Sequence, residues 1–290
     1  MKLNTTSGYV WATIAFVALI AGLAAMFFIS DTAQNGYNKL AAVFFQKELL
    51  LYILIGFSAQ LIDGSLGMAY GISSNTFLLS TGVSPAAASA AVHIAEIFTS
   101  GASAVSHLSL RNIHKRLFMA LLLPGIAGGA AGAFLLSSFN GAYLKPFVSI
   151  YLLLMGLAIL KKAFAPKTTR TKIKRIGLLA FAGGFLDALG GGGWGPIVNA
   201  TLLSKGKHPR LIIGTVNSVE FFIAFVSSAV FTTLLGLHNV LIILGLIVGG
   251  LLAAPLSALA LGKIPPKVLL IIVGLLVSIM SAKTLMETIS

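Results

Sequence analysis

Hydrophobic residues in this chain gather into long runs separated by short polar breaks. Residues 8–29 form the first run, 22 residues, or roughly 33 Å as a helix, enough to cross a bilayer core. The run is long for a signal peptide, Lys2 is its only early charge, and no small-residue cleavage site follows. It therefore reads as a retained span. Residues 30–48 interrupt the pattern with Asp31, Asn35, Asn38, Lys39, Lys47 and Glu48. Apolar segments then recur near 49–62, 66–80, 84–110, 115–137, 143–161, 176–187, 196–204, 209–236, 239–261 and 267–286. Four of these (49–62, 66–80, 176–187 and 196–204) are too short to span alone, and they come as two pairs, each broken by glycines.

Composition sharpens this into a class. Of 290 residues, 57% are hydrophobic and 9% charged, against about 25% charged in soluble domains. Mean hydropathy is +0.98. The pattern predicts an all-α polytopic membrane protein. There is no cysteine, which removes disulfides, cysteine-ligated metals and thiol catalysis. The net charge of +13 reads as basic loops under the positive-inside rule, and no basic stretch interleaves with aromatics as a nucleic-acid surface would.

An internal repeat organises the rest. Shifting residues 57–103 by 124 positions onto 181–227 gives 14 identities in 47 without a gap. The matches include Asp63 with Asp187, Gly67 with Gly191, Gly71 with Gly195, Asn75 with Asn199, and Glu96 with Glu220. Acid matches weigh most, because the whole chain holds seven Asp and Glu. The predicted organisation is an N-terminal helix with a polar extracytoplasmic loop (1–47), a first membrane repeat (48–162), a basic linker (163–175) and a second repeat (176–290).

Loop charge decides the topology. If each short pair is a re-entrant hairpin, each repeat has three full spans and the second is inverted. With the amino terminus inside, sixteen Lys and Arg are then cytoplasmic and four lie outside. Reading each pair as one broken helix makes nine spans and parallel repeats, and it moves the seven-charge stretch 161–175 outside, which the positive-inside rule disfavours. The expectation is seven transmembrane helices plus two re-entrant hairpins in the plasma (inner) membrane. Small residues at Gly125–Gly132 and Gly245–Gly250 allow close helix packing within a chain or in a homodimer.

Four of the seven acids fall inside the repeat, and an intramembrane acid marks a functional site by default. Asp63 and Asp187 sit at the hairpin tips, where a carboxylate can either cap the returning helix or meet a ligand or proton. Glu96 and Glu220 lie inside long spans, three residues after His93 and Asn217, so each pair shares a helix face. Hydrogen bonding to a tip, or proton coupling and gating, are the roles open to them. No His, Asp or Glu set has metal-ligand spacing, and neither a cofactor nor a catalytic residue is expected. Residues 190–196 read Gly-Gly-Gly-Gly-Trp-Gly-Pro, against Leu-Gly-Met-Ala-Tyr-Gly-Ile at 66–72. Glycines expose backbone N–H groups, and two returning helices can aim their positive ends at one anion. This makes Ser65, Gly67, Gly190, Gly191, Gly192 and Gly193 candidate substrate contacts, with Tyr70 and Trp194 as walls and Asn75 and Asn199 as further donors or backbone ties. No Lys or Arg is placed there by the sequence pattern, so binding should be weak and reversible.

The tandem pattern from Gly56 through Asp63, Gly67 and Gly71, its echo at Phe181–Pro196, and the Asn217–Glu220 region resemble the sulfite exporter TauE/SafE family of membrane permeases. The resemblance covers about residues 48–286. It implies a secondary transporter, an exporter in several members, of small sulfur-containing anions such as sulfite, sulfoacetate or other organosulfonates, coupled to protons. This chain departs in its first tip, Ser65-Leu66-Gly67-Met68, which is poorer in glycine. From the residues alone the carrier works by alternating access. An anion or small-solute channel using the same hairpins is the second reading.

Overall fold

A computed structural model describes residues 46–164, 175–204, 209–237, 239–260 and 265–289. The first predicted span (8–29), most of its polar loop and most of the basic linker lie outside the described residues. Every described element is helical. The first repeat contains α1 (Lys47–Leu66), α2 (Tyr70–Ser80), α3 (Pro85–Ser109), α4 (Lys115–Ser138) and α5 (Gly141–Phe164). The second contains α6 (Ile176–Gly190), a π-helical turn (Trp194–Asn199) that runs into α7 (Ala200–Ser204), then α8 (Pro209–Leu235), α9 (Val240–Ala260) and α10 (Pro266–Ile289).

Both short pairs fold as helical hairpins, and the same device ends each inbound helix. Gly67 (φ 66°) and Gly191 (φ 63°) adopt the left-handed conformation that terminates a helix without a β-carbon clash. The inbound arm α1 is longer than the apolar run 49–62 suggested, because the helix continues through Asp63 to Leu66. Its 20 residues cover about 30 Å.

The helices α4, α5, α8 and α10 are each long and apolar enough to cross a membrane. Helices α3 (25 residues) and α9 (21 residues) are of comparable length. Large apolar side chains point outward: Leu123 is 71% exposed, Phe147 68% and Ile279 65%. An outer surface of this kind is stable against lipid rather than water, which makes the protein a multi-pass membrane protein.

Packing runs between the repeats. Helix α1 packs on α9 and its counterpart α6 packs on α4, while α5 lies on α10 and α3 on α8. The glycine-rich stripes serve these contacts within the chain. A β-carbon at Gly128 would run into the carbonyl oxygen of Phe181, and one at Gly249 into that of Ile53. Backbones therefore touch directly at both related interfaces, as in small-residue helix packing generally.

Candidate functional site

Each hairpin tip is built around its own aspartate. Asp63 Oδ1 accepts the backbone N–H groups of Ala69 at 2.7 Å and Tyr70 at 3.2 Å. Asp187 Oδ1 accepts those of Gly193 at 2.7 Å and Trp194 at 2.9 Å, the positions related by the repeat. A helix leaves its first N–H groups without intrahelical acceptors, and in both hairpins a carboxylate from the preceding arm reaches across the turn to satisfy two of them.

The tips are then tied to each other. Asn75 Nδ2 donates to the carbonyl of Gly190, and Asn199 Nδ2 donates to that of Gly67 at 2.6 Å. These amides bond the opposite hairpin, so each repeat holds the other's turn. Both Oδ1 atoms are buried without a hydrogen-bond partner. The contact is tight enough to account for the glycines at 190–193 by packing. A β-carbon at Gly191 would lie 2.6 Å from the Asn75 side chain, and one at Gly192 would enter the backbone of Ile72. Gly190 abuts the Tyr151 ring, and Gly193 abuts the backbone of Asp187.

Between the tips lies a small polar cavity with room for about one water molecule. It is edged by all four repeated acids, Asp63, Glu96, Asp187 and Glu220. It is lined as well by Ala69–Ile72, Gly192 and Gly195. Gly71 and Ile72 open α2 and Gly195 opens the π-helical turn, so their N–H groups belong to first turns that lack internal acceptors. Repetition already marked Gly71 and Gly195 in the sequence. Ile72 and Met68, which also lines the cavity, carried no signal.

The structure distributes the remaining candidates unevenly. Tyr70 lines the cavity and donates its hydroxyl to the carbonyl of Leu246 at 3.0 Å. Trp194 does not line it. Its ring is fully buried among Leu117, Val198 and Ile223, and its Nε1 donates to the carbonyl of Val216 at 3.1 Å. Asn217 donates to Ser103 Oγ at 2.9 Å and is not among the residues lining the cavity. Gly190, Gly191 and Gly193 pack behind the cavity wall, and Gly192 reaches it. Ser65 lies in α1, and its side chain lies outside the described residues. One cation does approach the tips, contrary to the expectation that none would. The Lys162 ammonium, near the end of α5, donates to Met68 Sδ at 3.4 Å.

His93 faces away from its own repeat. Its Nδ1 is 2.8 Å from the Ser89 carbonyl and its Nε2 is 3.4 Å from Asp187 Oδ2. The i, i+3 spacing placed His93 beside Glu96, and the fold adds Asp187 from the other repeat. Ligand atoms of the three lie within 4.8 Å of one another. Sequence spacing showed no metal set, because the third member comes from the other half of the chain.

Known proteins resemble this chain over most of its length. The family model described as "Sulfite exporter TauE/SafE" matches residues 52–284. A curated protein of Bacillus subtilis (strain 168), "Probable membrane transporter protein YtnM", is 42% identical over 251 residues, covering 83% of this chain and 84% of that protein. No solved structure matches.

Proposed function

The chain belongs to the sulfite exporter TauE/SafE family of membrane transporters, and from that footing we propose that it carries small sulfur-containing anions across the plasma membrane by alternating access. Sulfite, sulfoacetate and other organosulfonates are the substrate class that the family name suggests.

The observation that carries this reading is the cavity between the cross-tied tips. Gly71, Ile72 and Gly195 among its lining residues stand in first helical turns, whose backbone N–H groups are the donors that hold oxyanions at helix starts. Its rim is four carboxylates, and no Lys or Arg is among the lining residues. An anion enters such a cavity only together with positive charge, so transport moves protons with the anion. Lys162 stands at the first tip as a local attractor. The cavity is smaller than sulfite, so binding requires the tips to part, which makes this arrangement a closed state of the cycle.

Alternating access follows from the repeat. We take the two halves, 48–162 and 176–290, as inverted copies, with the amino terminus cytoplasmic. The exchange of partners between α1·α9 and α6·α4 supports a two-fold relation between them. Rocking one half against the other breaks the Asn75 and Asn199 ties and opens the cavity to one side at a time.

Flux in proteoliposomes tests the reading. Labelled sulfite, sulfoacetate, thiosulfate and sulfate are offered with and without a pH gradient. Saturable flux of one of them, increased by the gradient, is the expected result. No flux of any, in vesicles that contain folded protein, overturns the substrate class.

A further inference from the structure

The side chains of His93, Glu96 and Asp187 are 0%, 4% and 2% exposed, and they converge from two different repeats. His93 and Asp187 are each held from behind. A carbonyl only accepts, so the Ser89 carbonyl at 2.8 Å fixes a hydrogen on His93 Nδ1 and turns Nε2 toward Asp187 as the ring atom open to a ligand. Asp187 Oδ1 is occupied by two backbone N–H groups, which leaves Oδ2. Nε2 and Oδ2 then face each other at 3.4 Å, and neither has a hydrogen-bond partner. Glu96 Oε2 is equally buried and equally unpartnered.

A shared cation would satisfy both of these buried atoms at once. Two atoms that each bind one tetrahedral ion at about 2.0–2.1 Å stand roughly 3.4 Å apart, which is the separation found. The support from behind is the arrangement that metal-bound histidines and carboxylates adopt, each orienting its free atom through its other one. Glu96 and Asp187 bring two carboxylates to the site. Among the described residues no Lys or Arg pairs with either. A divalent cation is the counter-ion that a pair of carboxylates can hold. One nitrogen and two carboxylate oxygens suit zinc, cobalt or nickel, whereas magnesium and calcium take oxygen ligands throughout. Glu96 and Asp187 also line the cavity, which has room for a water as the fourth ligand.

We propose that His93, Glu96 and Asp187 form a binding site for a divalent transition-metal cation that bridges the two repeats. The site stands apart from the identity of the transported anion. Its test is binding, so a failed flux assay and a failed metal titration are separate results.

The test uses the untagged full chain in detergent, stripped with a chelator. Co²⁺ is titrated by visible absorption and Zn²⁺ by equilibrium dialysis. The expected result is one ion per chain, with affinity lowered at least tenfold in both His93→Asn and Asp187→Asn and kept in His107→Asn. Asn is the residue that the second repeat carries at the position of His93, and Asn at 187 keeps the Oδ1 acceptor while replacing the free oxygen. Both variants are therefore expected to fold, and size-exclusion profiles check this. No stoichiometric binding of either metal, or unchanged affinity in both variants, overturns the proposal.

Discussion

Gly67 and Gly191 close the two inbound helices with the same left-handed turn, yet their surroundings differ. A methyl at Gly67 meets Asn199 Nδ2, the donor to the Gly67 carbonyl, at 3.3 Å, a contact relieved by a shift of a few tenths of an ångström. A methyl at Gly191 would overlap the Asn75 side chain, which is already committed to the Gly190 carbonyl. Gly67→Ala should therefore cost little beyond the backbone term of about 1–2 kcal/mol. Gly191→Ala should cost clearly more, read as a larger fall in melting temperature in detergent. Equal shifts would count against the packing account. The tip aspartates allow a second separation at this scale. Asp63→Asn keeps an oxygen for Ala69 and Tyr70, whereas Asp63→Ala leaves two N–H groups without their acceptor. The alanine variant should lose about 1–3 kcal/mol relative to the asparagine variant. If the two melt together, the carboxylate is not the cap that its geometry implies.

Between elements, the decisive contacts are backbone against backbone. Gly128→Val sets a branched side chain against the Phe181 carbonyl, and overpacking of this kind costs about 1–3 kcal/mol or more. Loss of monodisperse protein on size exclusion is the expected result, while Leu123→Ala on the outer face of the same helix leaves the profile unchanged. Much at this scale was legible in the sequence, because long apolar runs bounded by charge and glycine admit little but helices. The hairpins were legible through the repeat, since Asp63 and Gly67 recur at the same offset as Asp187 and Gly191. The extension of α1 to Leu66 was not, because the helix carries Asp63 inside it and polarity suggested an earlier end. Nor was the π-helical turn at Trp194–Asn199, for which no periodicity gives a signal. The site was legible only residue by residue. The four acids, Gly71 and Gly195 were marked by repetition. That Asn75 serves Gly190 and that Asp187 faces His93 depend on which helices touch across the repeats, and that Lys162 reaches Met68 depends on how α5 packs within the first. Single-sequence patterning carries no such information.

For the molecule as a whole, a carrier differs from a channel in needing its halves to move. The natural absence of cysteine makes this simple to test. A β-carbon at Gly250 of α9 lies 2.9 Å from Thr99 Cγ2 of α3, so cysteines at both positions fall within disulfide reach across the repeats. In the double variant, Thr99→Cys with Gly250→Cys, oxidation should stop flux in proteoliposomes and reduction should restore it. Flux that persists with the bond formed would favour a pore over rocking halves.

The exchange of partners between α1·α9 and α6·α4 also bears on how the protein is made. The first helix of the first repeat finds its main neighbour in the next-to-last helix of the chain. While the ribosome is still translating the second repeat, the face of α1 that meets α9 has nothing to close on, and α4 waits likewise for α6. The nascent first half therefore cannot mature as a unit, although its sequence looks like one. It must be sheltered in the membrane until α9 is inserted, and the last stretch of translation completes both repeats at once.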